Sequence, residues 1–167
     1  MNSLAPEAPD GALLPVPGLD YGVLDELLGY SLRRAQSALY LDFHRATASF
    51  DISPPRFAAL VLVSRNAGLR QQQLAEAMGL HRSGALRLTD WLQERGWVER
   101  RADPADARAW GLHLTATGRA ALRQLEQAVR AHDAALMHAL GPTAGAMKSE
   151  LERLARIANA AAQADQP

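Results

Sequence analysis

The residues best suited to chemistry in this sequence are arginines, and their spacing is informative. Arg100 and Arg101 lie on one side of the segment Asp103-Pro104-Ala105-Asp106, and Arg108 lies on the other. Aspartate and proline in that order are turn chemistry, so three guanidinium groups flank the tip of a hairpin. Such a basic finger can reach phosphates or enter a narrow, electronegative minor groove. Asp106 is close enough in sequence to pair with Arg108 and orient it. Further upstream, Arg82, Ser83 and Arg87 fall on the first two turns of a helix. There an arginine can make paired hydrogen bonds to guanine or to phosphate. Gly84 sits among them and would allow close approach to a phosphate or a thymine methyl, although glycine costs a helix interior about 1 kcal/mol. Gln71 and Gln72 open the preceding short helix, where backbone amides favour phosphate. The competing reading of all these residues is a solvated polar face.

Other chemistry lacks its residues. The chain has no cysteine, which excludes disulfides, thiolate nucleophiles and cysteine zinc sites. His44, His81, His113, His132 and His138 are scattered without an H-E-x-x-H or Cys/His spacing, so neither a metal nor a cofactor is expected. No G-x-S-x-G elbow or comparable nucleophile motif occurs, and an enzyme is not expected. Basic and acidic residues balance at 18 each, so net charge does not announce a nucleic-acid partner. Lys148 is the only lysine, a bias that a GC-rich genome produces by itself. No apolar run approaches the length of a membrane span, and the first residues lack a basic segment followed by an apolar one. The expected location is cytoplasmic, with no membrane partner.

The elements that would position the arginines are legible from periodicity. Residues 1–19, with Pro6, Pro9, Pro15 and Pro17, read as a flexible arm. A helical seam starts at Leu24 and continues through Leu28, Leu32, Ala35, Leu39, Phe43 and Ala46. Ser53 is expected to cap the next helix, with Pro54 at its first position and Phe57, Leu60, Val61 and Val63 on its buried side. Gln71 to Met78 forms a short helix stopped by Gly79, and His81 or Arg82 to Arg95 forms another stopped by Gly96. Leu74, Ala75, Leu80, Ala85, Leu88 and Leu92 make one seam shared by this pair. The pair matches a helix-turn-helix, or equally an ordinary helical hairpin in a bundle. Trp97–Arg101 and Arg108–Leu114 read as strands, with Trp110, Leu112 and Leu114 alternating with Gly111 and His113. Thr115 or Thr117 caps a long helix that ends at Gly141-Pro142. A last helix, from about Thr143 to Ala161, carries Met147, Leu151, Leu154 and Ile157. Trp91 and Trp97 are expected in packing roles.

A helix-turn-helix followed at once by a two-stranded hairpin is a winged helix. The run from Leu69 to Leu122 resembles the winged-helix core of the MarR family of bacterial transcriptional regulators. The resemblance rests on Leu74-Ala75, Gly79-Leu80, Leu92, Gly96, Val98, Arg100, Asp106, Arg108, Leu112, Leu114-Thr115 and Gly118 in that order and spacing. It extends over roughly residues 21–162, and LGYSLRRAQ (Leu28–Gln36) is similar to members that control breakdown of aromatic acids. Three positions depart from the pattern. Ala107 replaces the basic residue after the wing aspartate, Arg70 replaces the Ser or Thr that opens the first short helix, and Gly84 stands where Thr is common.

The resemblance implies a mostly α fold with a small β-hairpin wing (α+β), a winged helix-turn-helix with N- and C-terminal dimerisation helices. The expected divisions are the arm at 1–19, a first dimerisation helix at 20–53, a DNA-binding lobe at 54–114 and C-terminal dimerisation helices at 115–163. It implies a homodimer on a pseudo-palindromic double-stranded DNA operator, acting as a repressor released by a small aromatic acid or thioester. Members bind such anions between the dimer helices and the winged helix. Here Arg33, Arg34, Tyr40 and His44 on the first helix and Arg56 on the second could clamp a carboxylate and read a ring substituent. Interhelical ion pairs and plain surface are the alternative for each. The rival function is a helical protein-interaction module that keeps the fold without specific DNA binding.

Overall fold

The computed structural model describes residues 15–103 and 106–164, with the side chains of 103, 106–109 and 161–164 excepted. Most of the expected arm and the Pro104-Ala105 turn therefore lie outside the described residues. The chain separates into two compact units, Met1–Val129 and Arg130–Pro167. Among the described residues, six α-helices and one antiparallel hairpin follow in order: α1 Leu28–Ala46, α2 Pro54–Arg65, α3 Gln71–Ala77, α4 Arg82–Glu94, β1 Val98–Asp103, β2 Asp106–Leu114, α5 Ala116–Leu140 and α6 Ala144–Ala164.

The first helix departs from expectation at its start. Leu24 lies in a separate 3₁₀ turn, Gly22–Glu26, and Leu27 is extended before α1 begins. The turn opens on Gly22 at φ +52°, whose N–H donates to Asp20 Oδ1 at 2.8 Å. That local bond competes with continuing the helix upstream. Leu24, Leu27 and Leu28 are exposed in the single chain, so no burial favours one continuous seam there.

The core of the first unit joins α2, α3, α4, the hairpin and the start of α5. Leu60, Leu74, Leu92, Leu112 and Leu125 are fully buried in it, with Phe43, Ile52, Trp97 and Leu122 around them. Trp97 takes the packing role expected of it, and Trp91 packs edge-on against it at 5.7 Å between ring centroids. Gly79 at φ +62° and Gly96 at φ +66° are the left-handed residues that follow α3 and α4, a conformation that costs glycine little.

The three N-caps of α2, α3 and α5 are made in three different ways. Ser53 stands at the N-cap of α2 but makes no side-chain bond, because Pro54 and Pro55 remove two of the first donors. The missing Ser or Thr at Arg70 is offset from the other side. The Arg70 N–H donates to Gln73 Oε1 at 2.9 Å, the returning half of a capping box. For α5 the cap is Thr115: its Oγ1 accepts from Gly118 N–H at 2.9 Å and donates to the Gly96 carbonyl at 2.6 Å.

The hairpin is longer at its tip than the sequence pattern indicates, with β1 reaching Asp103 and β2 starting at Asp106. Val98 pairs with Leu114, Arg100 with Leu112 and Ala102 with Trp110. The base of β2 is also held on its outer edge. Gly68 N–H donates to the Leu112 carbonyl at 3.0 Å, and Leu112 N–H donates to the Leu69 carbonyl at 2.9 Å. This approach requires glycine at 111, where a Cβ would lie 2.7 Å from Gly68 Cα.

In the second unit, α6 follows a 3₁₀ turn at Gly141–Thr143, with Ala144 buried at its start. Met147, Leu151 and Ile157 recur along α6 and all remain exposed.

Candidate nucleic-acid interface

Helix α4 divides its residues by period. Ala85, Thr89 and Leu92 are buried, and Arg82, Ser83, Leu86 and Arg87 are exposed. A stripe three and four residues apart on one face must leave the intervening residues on the other. Arg82 and Arg87 make no hydrogen bond or ion pair with any described residue, so both guanidinium groups keep their donors for a partner. Gly84 lies in the first turn and is half-buried, with only Leu80 near the position of a Cβ, at 3.6 Å. Leu86 was not marked by sequence reasoning. Its exposure on the face of Ser83 and Arg87 is the signal that identifies it.

The two wing arginines of β1 point to opposite faces of the ribbon, as alternation demands. Arg100 shares the face of Val98 and Leu112 and turns toward the helices. Its Nη2 donates to Asp90 Oδ1 at 3.1 Å, Gln71 Oε1 at 3.3 Å and Thr89 Oγ1 at 3.4 Å. One guanidinium thus ties β1 to α3 and α4. Arg101 faces the other way and donates from Nε to Glu99 Oε1 at 3.0 Å. The structure therefore separates residues that adjacency in sequence had grouped.

Gln71 and Gln72 open α3, and they differ in exposure. Gln71 is half-buried and accepts from Arg100, whereas Gln72 is exposed and donates to Glu76 Oε1 at 3.0 Å. The backbone of Asp106 and Arg108 belongs to β2, and their side chains lie outside the described residues. Trp110 lies in β2, where the sequence pattern puts it. Its alternation with Leu112 and Leu114 suggests burial, yet it is 57% exposed. It lies on the buried face of the ribbon but beyond the end of the core. There it borders a cleft of about 190 Å³ together with Gln71, Arg100 and Leu112.

The second set of candidate residues is not gathered into one cluster. Arg34 faces the turn before α1, with Nη1 3.8 Å from Asp25 Oδ1, while Arg33 is exposed. Tyr40 and His44 do meet, with ring centroids 5.0 Å apart. The His44 Nε2 is buried and has no hydrogen-bond partner among the described residues. Arg56 instead lies 4.2 Å over the ring of Trp91 on α4, and Arg95 lies 4.5 Å from the same ring. Arg95 also donates to the Phe50 carbonyl at 3.1 Å and to Asp51 Oδ2 at 3.0 Å. This network fastens the segment between α1 and α2 to the end of α4. Among the described residues no group of histidine and acidic side chains could hold a metal ion, and no helix is long and apolar enough to cross a membrane.

Residues 50–109, from just before α2 into the second strand of the wing, match the MarR family model. The chain is 36% identical over 116 residues to a protein assigned to transcriptional regulation of the hcr operon in Thauera aromatica, covering 69% of this chain and 70% of that one. The chain belongs to the MarR family. MarR-family proteins are transcriptional regulators, and solved relatives share the winged-helix fold. The transcriptional repressor CouR bound to a 23-mer DNA duplex superposes with a TM-score of 0.75 at 35% identity, over 84% of this chain and 98% of that one. CouR bound to p-coumaroyl-CoA gives 0.74 at 34% identity, over 84% and 97%. The PcaV regulator of Streptomyces coelicolor, solved with its natural ligand, gives 0.70 at 29% identity, over 87% and 99%.

Proposed function

We propose that this chain is a homodimeric, sequence-specific DNA-binding repressor released by a small aromatic acid or its thioester. The observation that carries the DNA reading is the outer face of α4. Arg82, Ser83, Leu86 and Arg87 are exposed there, and the two guanidinium groups have no partner among the described residues. A helix with this face, beside a wing, fits the major groove, with arginine reading guanine or phosphate and Leu86 meeting a thymine methyl. Gly84 lets the backbone approach.

The wing divides its labour. Arg101 contacts phosphate, exchanging Glu99 for the nucleic acid, and Arg108 enters the minor groove, oriented by Asp106. Arg100 is a positioning residue: its bonds to Gln71, Thr89 and Asp90 fix the wing to the helices. Gln72 contributes a phosphate contact at the start of α3. Two copies related by a two-fold axis present two recognition helices about one DNA turn apart, hence a pseudo-palindromic operator.

The feature that favours an effector is the buried, unpartnered His44 Nε2 beside Tyr40. Buried polar atoms are nearly always hydrogen-bonded, and a phenol or carboxylate oxygen would complete this one. The relatives crystallised with p-coumaroyl-CoA support an aromatic thioester as the class to test first. Binding of purified protein to genomic fragments across a salt series tests the central reading. Selective retention of a few fragments at physiological salt is expected. Equal retention of all fragments would favour a non-specific binder, and retention of none the protein-interaction module.

A further inference from the structure

Trp110 is left outside the core by the geometry of the wing. It follows the buried Leu114 and Leu112 on the same face of β2, opposite Ala102, and its ring is more than half exposed. Leu112 is pinned from its outer edge by Leu69, and that support ends before Trp110. The two other tryptophans are packed against each other inside the lobe. Trp110 therefore stands as an isolated aromatic wall of the cleft that Gln71 and Arg100 also line. At about 190 Å³ this cleft is smaller than the usual pocket for a drug-sized ligand. It lies between α3 and the wing; the Arg100 guanidinium and Gln71 amide at its border are bonded to each other, which leaves the indole as the surface it offers to the apolar face of a sugar.

We propose that Trp110 is a DNA contact residue, whose indole packs against a deoxyribose of the strand passing between α3 and the wing. The argument rests on the DNA reading above. Continuity with the proposed interface selects the duplex as occupant: Arg100 at the cleft is bonded to Thr89 and Asp90 of α4, the helix whose outer face carries exposed Arg82 and Arg87. An indole supplies apolar area to a sugar without reading a base edge, so the contact adds affinity for every sequence. It also displaces no counter-ion, unlike an arginine on phosphate.

The test uses the full-length chain and a mixed-sequence duplex of roughly three helical turns at low salt. In the free protein, acrylamide should quench a fraction of the tryptophan emission that is lost in Trp110→Phe. Adding duplex should protect that fraction in the wild type. Trp110→Ala should bind operator and mixed duplex more weakly by a similar factor, roughly tenfold, the order expected for truncating one aromatic anchor. The slope of log affinity against log salt should not change. Trp110→Phe should recover most of the affinity. A Trp110 that stays quenchable in the complex, an alanine variant that binds as the wild type does, or an altered salt slope would each overturn the proposal. An emission already protected in the free protein would assign Trp110 to a contact between copies and overturn it as well. A wild-type chain that binds no duplex at all would instead overturn the DNA reading on which the proposal rests.

Discussion

At Gly118 an added Cβ would sit 2.0 Å from the Trp97 carbonyl oxygen, whereas at Gly84 it would meet only Leu80 at 3.6 Å. The first glycine serves the fold, because α5 must begin against the end of the α4–β1 connection. Gly118→Ala should therefore destabilise the protein by about 2–4 kcal/mol, a large loss of the kind overpacking produces, seen as a lower urea midpoint. The second has room for a methyl. Gly84→Ala should leave stability unchanged or raise it by up to about 1 kcal/mol. If Gly84 allows close approach to DNA, the same variant should bind operator more weakly. Better stability with undiminished binding would remove Gly84 from the interface. Arg87 and Arg101 separate base reading from phosphate contact. Arg87→Ala should lose about 1–3 kcal/mol of discrimination between operator and scrambled duplex. Arg101→Ala should weaken both alike and make the salt slope shallower by about one unit. Equal losses on both duplexes for Arg87→Ala would reduce it to a phosphate contact.

The helices were legible because their determinants are local. Apolar spacing marked α2 through α6, and Gly79, Gly96 and Gly141 mark helix ends at positive φ. Thr115 as the cap of α5 was one of two choices in the sequence, and its bonds to Gly118 and Gly96 decide between them. Losing that cap in Thr115→Ala should cost about 1 kcal/mol, measurable by thermal unfolding. What failed to show in the sequence depends on contacts between elements. The period of β2 puts Trp110 with Leu112 on one face but cannot say where the core ends along the strand. Adjacent Arg100 and Arg101 look equivalent in a charge count, and only the ribbon's alternation sends one inward to Asp90 and Gln71. The approach of Arg56 to the Trp91 ring joins two helices and leaves no mark in a local pattern. The start of α1 was misplaced because a periodic leucine seam does not reveal whether anything covers it.

In the second unit, Met147, Leu151 and Ile157 recur along α6 and are all exposed in the single chain, an apolar face that a second copy would cover. A second copy that buries them would make the unfolding midpoint rise with protein concentration. Removing everything after Pro142 should aggregate the remainder, and a soluble folded monomer from that truncation would contradict dimerisation through this region. Coupling between effector and operator must be reciprocal. If the proposed effector is an aromatic thioester, a typical coupling of about 1–3 kcal/mol predicts that it should weaken operator binding roughly 5- to 150-fold, and that operator should weaken thioester binding by the same factor. His44→Phe should erase that response and spare DNA binding. The two-sided bonding at the base of β2 has a different consequence. Local stability varies across a fold, and amide exchange with deuterated solvent maps it. The Gly68 and Leu112 amides, locked between the wing and the segment before α3, should exchange only when the first unit opens as a whole. Amides nearer the tip, paired on one edge alone, should exchange through small local openings. The root of the wing would then hold the angle of the two strands to α4 as firmly as the core holds itself together.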